Sequence, residues 1–120
     1  MKDSKQLIMS RESNLWNAAN ALMKAAFNYL SEMEEKGFAQ FCENFFIIID
    51  KEEMEKLMEE ELKKTPWIKF PQMANEIRKL AMCRLKKELE SREWEIKCVI
   101  SSGKEVMALC PLCPLTKNEM

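Results

Sequence analysis

Residues 94–110, WEIKCVISSGKEVMALC, decide which fold class this chain can adopt. Apolar side chains recur at every second position across residues 94–100, which is typical of a β-strand with one buried face. Ser102 and Gly103 suit a two-residue turn, and a second apolar stretch follows them. The pattern therefore predicts a β-hairpin near the C-terminus.

The predicted hairpin has one apolar face. A two-residue turn places Ile96 opposite Leu109 and Cys98 opposite Met107. An isolated hairpin is only marginally stable in water, so this face must be covered. We expect helices from the rest of the chain to pack on it.

The strongest helical periodicity lies upstream, in residues 10–36. Apolar side chains recur there at intervals of three and four, Ser10 or Ser13 can cap the helix start, and Gly37 suits its end. A heptad stripe on this helix consists of Leu15, Ala19, Leu22, Ala26, Tyr29 and Met33. Its small alanines let a second helix approach closely. The stripe is either the core face of a bundle or the seam of a homodimer, in which case it is the protein interface.

Three further helices and one strand are predicted between these two regions. Residues 38–43 suit a short helix, and residues 45–49 are a run of strand formers. Residues 50–64 begin with a capping-box pattern, in which Asp replaces Ser or Thr, and continue as an amphipathic helix. A proline at the first helical position begins the last helix, at residues 71–91.

Composition agrees with a helix-rich mixed fold. Two glycines and four prolines in 120 residues leave few turns for a many-stranded sandwich. The predicted fold class is α+β, with four mostly amphipathic helices, one of them short, packed on a small antiparallel sheet that includes the C-terminal hairpin. An all-α bundle with a terminal hairpin is the alternative. We expect one domain over residues 1–120, with flexible ends at residues 1–9 and 114–120.

Charge and apolar patterning limit the classes of partner. A net charge of -1 provides no global attraction for nucleic acid or an anionic membrane. The chain has neither the ~18 consecutive apolar residues of a membrane span nor the apolar core of a signal peptide at its start. We expect an intracellular protein, in the cytoplasm or nucleus, that does not enter a membrane.

The C-terminal cysteines are the candidate metal ligands. The chain has no histidine, so a zinc site must use thiolates or carboxylates. Cys110 and Cys113 have CxxC spacing, and Cys98 lies across the hairpin as a third ligand. The fourth ligand is missing, and Cys98 and Cys110 are expected on opposite faces. We therefore expect no cofactor, with zinc as the alternative; an enzyme with Cys110 or Cys113 as nucleophile is a third hypothesis.

The last two predicted helices differ in charge. Residues 50–64 hold seven acids and four bases, whereas residues 72–92 hold six bases and three acids. The two helices either pack with complementary edges, or the basic one faces a phosphate backbone. The candidate nucleic-acid residues are Arg78, Lys79, Arg84, Lys86 and Lys87. Trp67 and Phe70, in the preceding linker, either stack on bases or plug the edge of a core.

Ten methionines are the compositional feature with the clearest functional meaning. They include Met54, Met58, Met73, Met82 and Met107. Methionine fills irregular gaps in a core or lines an adaptable partner surface.

The apolar helix surface is larger than a lone domain easily covers. We predict a small non-enzymatic protein-interaction or regulatory protein that self-associates through its first helix. Small viral accessory proteins have a similar size and composition, which is an analogy only. The alternative function is a zinc-assisted nucleic-acid-binding module that uses the C-terminal cysteines and the basic helix.

Overall fold

The computed structural model describes residues 1–112, and the fold is α+β as predicted. In chain order, the elements are α1 (Ser4–Lys36), α2 (Phe38–Asn44), β1 (Ile47–Ile48), α3 (Lys51–Leu62), α4 (Pro71–Ser91), β2 (Trp94–Ser101) and β3 (Lys104–Pro111). The three strands form one antiparallel sheet, so the all-α alternative is wrong. The tail predicted at residues 114–120 lies outside the described residues.

Helix α1 begins at Ser4 instead of Ser10, so most of the predicted flexible N-terminal end is helical. Asp3 forms the cap: its carboxylate accepts a hydrogen bond from the Gln6 N–H at 2.8 Å, and the Gln6 side chain accepts one from the Asp3 N–H at 3.2 Å. This reciprocal capping box satisfies two N–H groups that a helix start otherwise leaves unpaired. The first buried residue of α1 is Leu15, so its first turns extend beyond the core.

Helices α3 and α4 both pack on α1. The Asp50 N–H, at the start of α3, donates a hydrogen bond to the Tyr29 hydroxyl near the end of α1, so α3 runs back along α1. The Asp50 carboxylate also accepts a hydrogen bond from the Glu53 N–H, as the capping pattern predicts. Among the described helices, none has the length and apolar character that crossing a membrane requires.

Helix α4 runs parallel to α1, because contacts between the two helices advance along both in the same direction. Arg11 and Glu76 form an ion pair of 3.1 Å near the start of both helices. The Arg92 guanidinium, at the end of α4, lies 4.8 Å from the ring centre of Phe27. The α3–α4 linker therefore lies at the same end of the molecule as the start of α1.

The heptad stripe of α1 forms one side of the hydrophobic core of the chain. Leu15, Ala19, Leu22, Ala26 and Tyr29 are buried, and Met33 is half-buried against the same cluster. The other walls of this core are the buried faces of α3 and α4, with Met54, Met58, Leu62, Ile77, Ala81, Leu85 and Leu89. Because α3 and α4 cover the stripe within one chain, the stripe is not an exposed seam, and self-association of the protein stays a prediction.

The hairpin has the predicted register. Strand β3 is central between β1 and β2, with Ile96 opposite Leu109 and Cys98 opposite Met107. Both turn residues, Ser102 and Gly103, have positive φ values of 52° and 77°, which match the twist of a tight hairpin. Strand register follows from turn length, so local sequence was sufficient to predict it.

Two details at the α1–α2–β1 junction differ from the sequence prediction. Strand β1 covers only residues 47–48 of the predicted 45–49, because Phe45 takes a left-handed conformation, φ 61°, that ends α2. Gly37 has a negative φ of -96°, so positive φ does not explain the glycine. A Cβ there would lie 2.5 Å from Ile47 Cγ2, so glycine permits close packing.

The α1 core can be tested with a charge at two positions of the same heptad series. Leu22 is fully buried, so Leu22→Glu should abolish the cooperative thermal transition followed by circular dichroism, since burying a carboxylate costs several kcal/mol of the ~5–15 kcal/mol that stabilise a domain. Ile8 is 59% exposed, and Ile8→Glu should move the midpoint by only a few degrees at most. If the Leu22→Glu protein instead stays folded and only changes from dimer to monomer, the stripe is a homodimer interface and not a core.

Candidate protein-binding groove

The predicted zinc ligands do not converge in the described part of the chain. Cys98 is exposed and lies opposite Met107, whereas Cys110 is buried and lies opposite Glu95, so the two thiols are on different faces of the hairpin. Residues 1–112 contain no group of three or more Cys, Asp or Glu placed to hold a metal. Cys113 lies outside the described residues, so its part of the zinc hypothesis stays a prediction.

Both described hairpin thiols are stabilised in their protonated form. The neighbouring Glu105 carboxylate raises the pKa of Cys98, and burial raises the pKa of Cys110. A nucleophilic or redox thiol needs the opposite shift, because the thiolate is the reactive species. The surroundings of Cys98 and Cys110 therefore favour structural thiols.

The predicted nucleic-acid residues on α4 do not form one free surface. Arg78 makes two hydrogen bonds to Glu59 of α3, from Nε at 2.8 Å and from Nη2 at 2.6 Å. This bidentate pair lowers the pKa of Glu59 and joins the acidic helix α3 to the basic helix α4. Arg84 lies 4.3 Å from the ring centre of Trp16. The exposed members of the set are Lys79, Lys86 and Lys87.

An apolar groove opens between α3, α4 and the helix-facing side of the sheet. Its volume is about 830 Å³. Met54 of α3 forms one wall, Leu85 and Leu89 of α4 form the opposite wall, and Ile96 and Met107 of the hairpin contribute the sheet side. These side chains also belong to or pack against the main core, so the groove is an opening of that core at the surface.

The groove exists because α3 and α4 both pack on α1 but make few direct contacts with each other. Arg78 lines the groove, and its ion pair with Glu59 joins the two helices there. Elsewhere the hairpin occupies part of the space between them, with Trp94 and Ile96 facing the helices. The groove is therefore held open by the main packing contacts of the fold.

The charges that line the groove are mostly basic. Lys51 of α3 and Lys79 and Lys86 of α4 form no ion pair with any of residues 1–112. Glu90 and Glu95 also line it. Because the Arg78 charge is compensated by Glu59, the three lysines are the uncompensated positive charges around an apolar interior.

The methionines predicted for an adaptable surface divide between groove and core. Met54, Met82 and Met107 line the groove, and Met82 is 43% exposed. Met58 is buried in the core, and Met73 packs against it.

No protein-family model, curated protein or solved structure matches the chain.

A second furrow, of about 680 Å³, lies between α1 and α3 and differs in chemistry. Asn17, Asn20 and Asn28 line it together with Ala21 and Ala25 and with glutamates of α3. Polar side chains make up much of this lining, and the Asn20 Oδ1 atom is buried there without a hydrogen-bond partner among residues 1–112, so the furrow gives little hydrophobic driving force for binding. The apolar groove is therefore the better candidate site.

Sequence reasoning found the methionines and Lys79 and Lys86, but it missed the groove itself. The apolar residues of its walls, such as Leu85 and Ile96, have the same periodicity as ordinary core residues. Lys51 gave no signal, since a lysine after a helix cap is common on any surface. These residues line one groove only because α3 and α4 lie apart from each other in the folded chain.

The effect of Glu105 on the protonation of the Cys98 thiol can be tested through the alkylation rate of Cys98. Glu105→Gln removes the carboxylate that raises the pKa of Cys98, so the thiolate fraction at pH 7 to 9 should increase and iodoacetamide should react faster. Peptide mass spectrometry of the same sample, with exposed Cys83 as the internal reference, measures the change. An unchanged ratio of Cys98 to Cys83 labelling would show that Glu105 does not control this thiol.

Proposed function

We propose that the protein is a small non-enzymatic interaction or regulatory protein that binds an acidic, amphipathic helix of a partner protein in its apolar groove. The observation that carries the proposal is the methionine-containing apolar interior of the groove, bordered by Lys51, Lys79 and Lys86, which form no ion pair with any of the described residues 1–112. No cofactor is needed for this binding. It replaces the α1 seam as the place of protein contact.

The chemistry of the groove favours a peptide over a small metabolite. Small-molecule sites combine an apolar pocket with a few polar groups that fix the ligand's orientation. Within residues 1–112, no polar or charged side chain is buried, so the polar groups around this groove are at its edge. An apolar interior with charged edges matches the cross-section of an amphipathic helix, which has an apolar stripe between polar flanks.

Methionine gives the groove its capacity to adapt. The thioether side chains of Met54, Met82 and Met107 are unbranched and polarizable, so they can repack around different apolar side chains at low cost. Met82 is the most exposed of the three and lies on α4 between Lys79 and Lys86. A partner helix that buries Met82 would bring its own polar flank towards these two lysines.

The lysines favour an acidic partner. Charges at the edge of an interface steer association and discriminate between partners more than they add affinity. Three lysines and two glutamates border the groove, and both glutamates lie near the α4–β2 junction. We expect a partner helix with carboxylates over Lys79 and Lys86.

The remaining parts of the proposal rest on the thiols. Cys42, Cys83, Cys98 and Cys110 form no disulfide among residues 1–112, and free thiols are usual in a reducing compartment, which supports an intracellular location. The raised pKa values of Cys98 and Cys110 weigh against a thiol-dependent enzyme.

Methionine methyl NMR can test the groove directly. We expect a synthetic amphipathic helix with a leucine face and a glutamate face to shift the methyl signals of Met54, Met82 and Met107. The signals of Met23 and Met58, which lie in the core and do not line the groove, should move much less. A matched peptide with lysine in place of glutamate should bind more weakly.

Charge-reversal variants distinguish binding in the groove from non-specific attraction between the acidic peptide and surface lysines. Lys79→Glu with Lys86→Glu should weaken the acidic peptide about tenfold, since each exposed ion pair contributes ~0.2–1 kcal/mol and ~1.4 kcal/mol is a factor of ten. Lys87→Glu is the matched control, because Lys87 is exposed on α4 but does not line the groove. Equal effects of the two changes, or groove signals that move with a fatty acid and not with the peptide, would refute the proposal.

A further inference from the structure

The linker between α3 and α4, residues 63–70 with the sequence KKTPWIKF, presents aromatic rings and lysines together. We propose that this linker, the stacking loop, binds single-stranded nucleic acid, with bases stacked on Trp67 and Phe70 and phosphates beside Lys63 and Lys69. This site is separate from the groove and from the α4 lysines predicted for nucleic acid.

The stacking loop exposes both of its aromatic rings. Trp67 is 41% exposed and Phe70 is 67% exposed, so neither ring plugs the core. Ile68, between them, is half-buried and packs against the core cluster. This inward residue fixes the loop while its aromatic neighbours remain available to solvent. Both rings therefore keep part of their surface open to solvent, where a base can stack.

Backbone hydrogen bonds give the stacking loop a defined conformation. The Thr65 N–H donates to the Leu62 carbonyl at 3.1 Å, and the Ile68 N–H donates to the Thr65 carbonyl at 3.1 Å. Pro71 begins α4 directly after Phe70. The rings are therefore presented by an ordered turn, which reduces the entropy lost when a ligand binds.

Lysines flank the two rings in the sequence, and the Glu59 carboxylate, whose pKa is lowered by Arg78 and to a lesser extent by Lys63, offsets only part of their charge. Lys63 and Lys69 form no ion pair within residues 1–112, whereas Lys64 pairs with Glu61 at 2.6 Å. The start of α4, at Phe70, has no side-chain cap, so the helix dipole adds partial positive charge at the same place. This local charge provides the attraction for phosphate that the net charge of -1 does not.

This combination favours a single strand over the other occupants of an exposed apolar surface. A second copy would bring the same lysines together and cause repulsion. Non-specific single-strand binding typically pairs a positive surface with aromatic side chains, because every base offers a face for stacking. A lipid surface or an acidic protein would be attracted by the same lysines but does not require aromatic rings.

Substitution by leucine distinguishes stacking from hydrophobic contact. Fluorescence anisotropy of labelled oligothymidylate and oligouridylate, with the full chain at low salt, measures the affinity. Trp67→Leu and Phe70→Leu should each weaken binding between about fivefold and 100-fold, since they keep an apolar side chain but remove the stacking face. Phe38→Leu should have no effect, because the Phe38 ring is as exposed as that of Phe70 but lies outside the stacking loop.

Lys63 and Lys69 should control the salt dependence of oligonucleotide binding. Lys63→Gln with Lys69→Gln should make the slope of log K against log salt less steep by about 1.4, given ~0.7 for each phosphate contact to a single strand. Lys79→Glu with Lys86→Glu should leave this slope unchanged, which separates the stacking loop from the groove. Absence of oligonucleotide binding at low salt would overturn the proposal. So would leucine variants that bind as well as the wild type, or binding to phosphatidylserine vesicles alone.

Discussion

Burial of the apolar stripe of α1 is the constraint on which the rest of the structure depends. Ala19 and Ala26 are fully buried and let neighbouring helices approach, while Leu15 and Leu22 fill the space between them. Helices α3 and α4 each have only one apolar face, and both faces are directed at α1. The positions of the linker and the hairpin follow from this arrangement.

The groove is a consequence of that packing. Helices α3 and α4 both cover α1 but make few direct contacts with each other, so the space between them is shared by the hairpin and the solvent. The ion pair of Arg78 and Glu59 joins the two helices and uses a charge that would otherwise be free at the surface. The apolar core thus reaches the surface in the groove, where buried Met54 and half-buried Met107 form part of the lining and Met82 is exposed.

The chain offers surfaces for binding more clearly than groups for chemistry. Histidine is absent, and the environments of Cys98 and Cys110 favour the protonated thiol. By contrast, the groove and the stacking loop each combine apolar side chains with lysines that have no partner within residues 1–112. The two surfaces differ in kind, since methionines line the first and aromatic rings define the second. Together they would allow one small protein to connect two partners.

Sequence alone determined the features that depend on neighbours along the chain. These include the helix periods, the capping of α3 and the register that sets Ile96 opposite Leu109. Tertiary structure decided what covers each apolar face. A stripe such as that of α1 has the same pattern in a core as in a dimer seam, because both bury it against another helix. The pairing of Arg78 with Glu59 and the exposure of Trp67 likewise follow only from the positions of α3 and α4 in space.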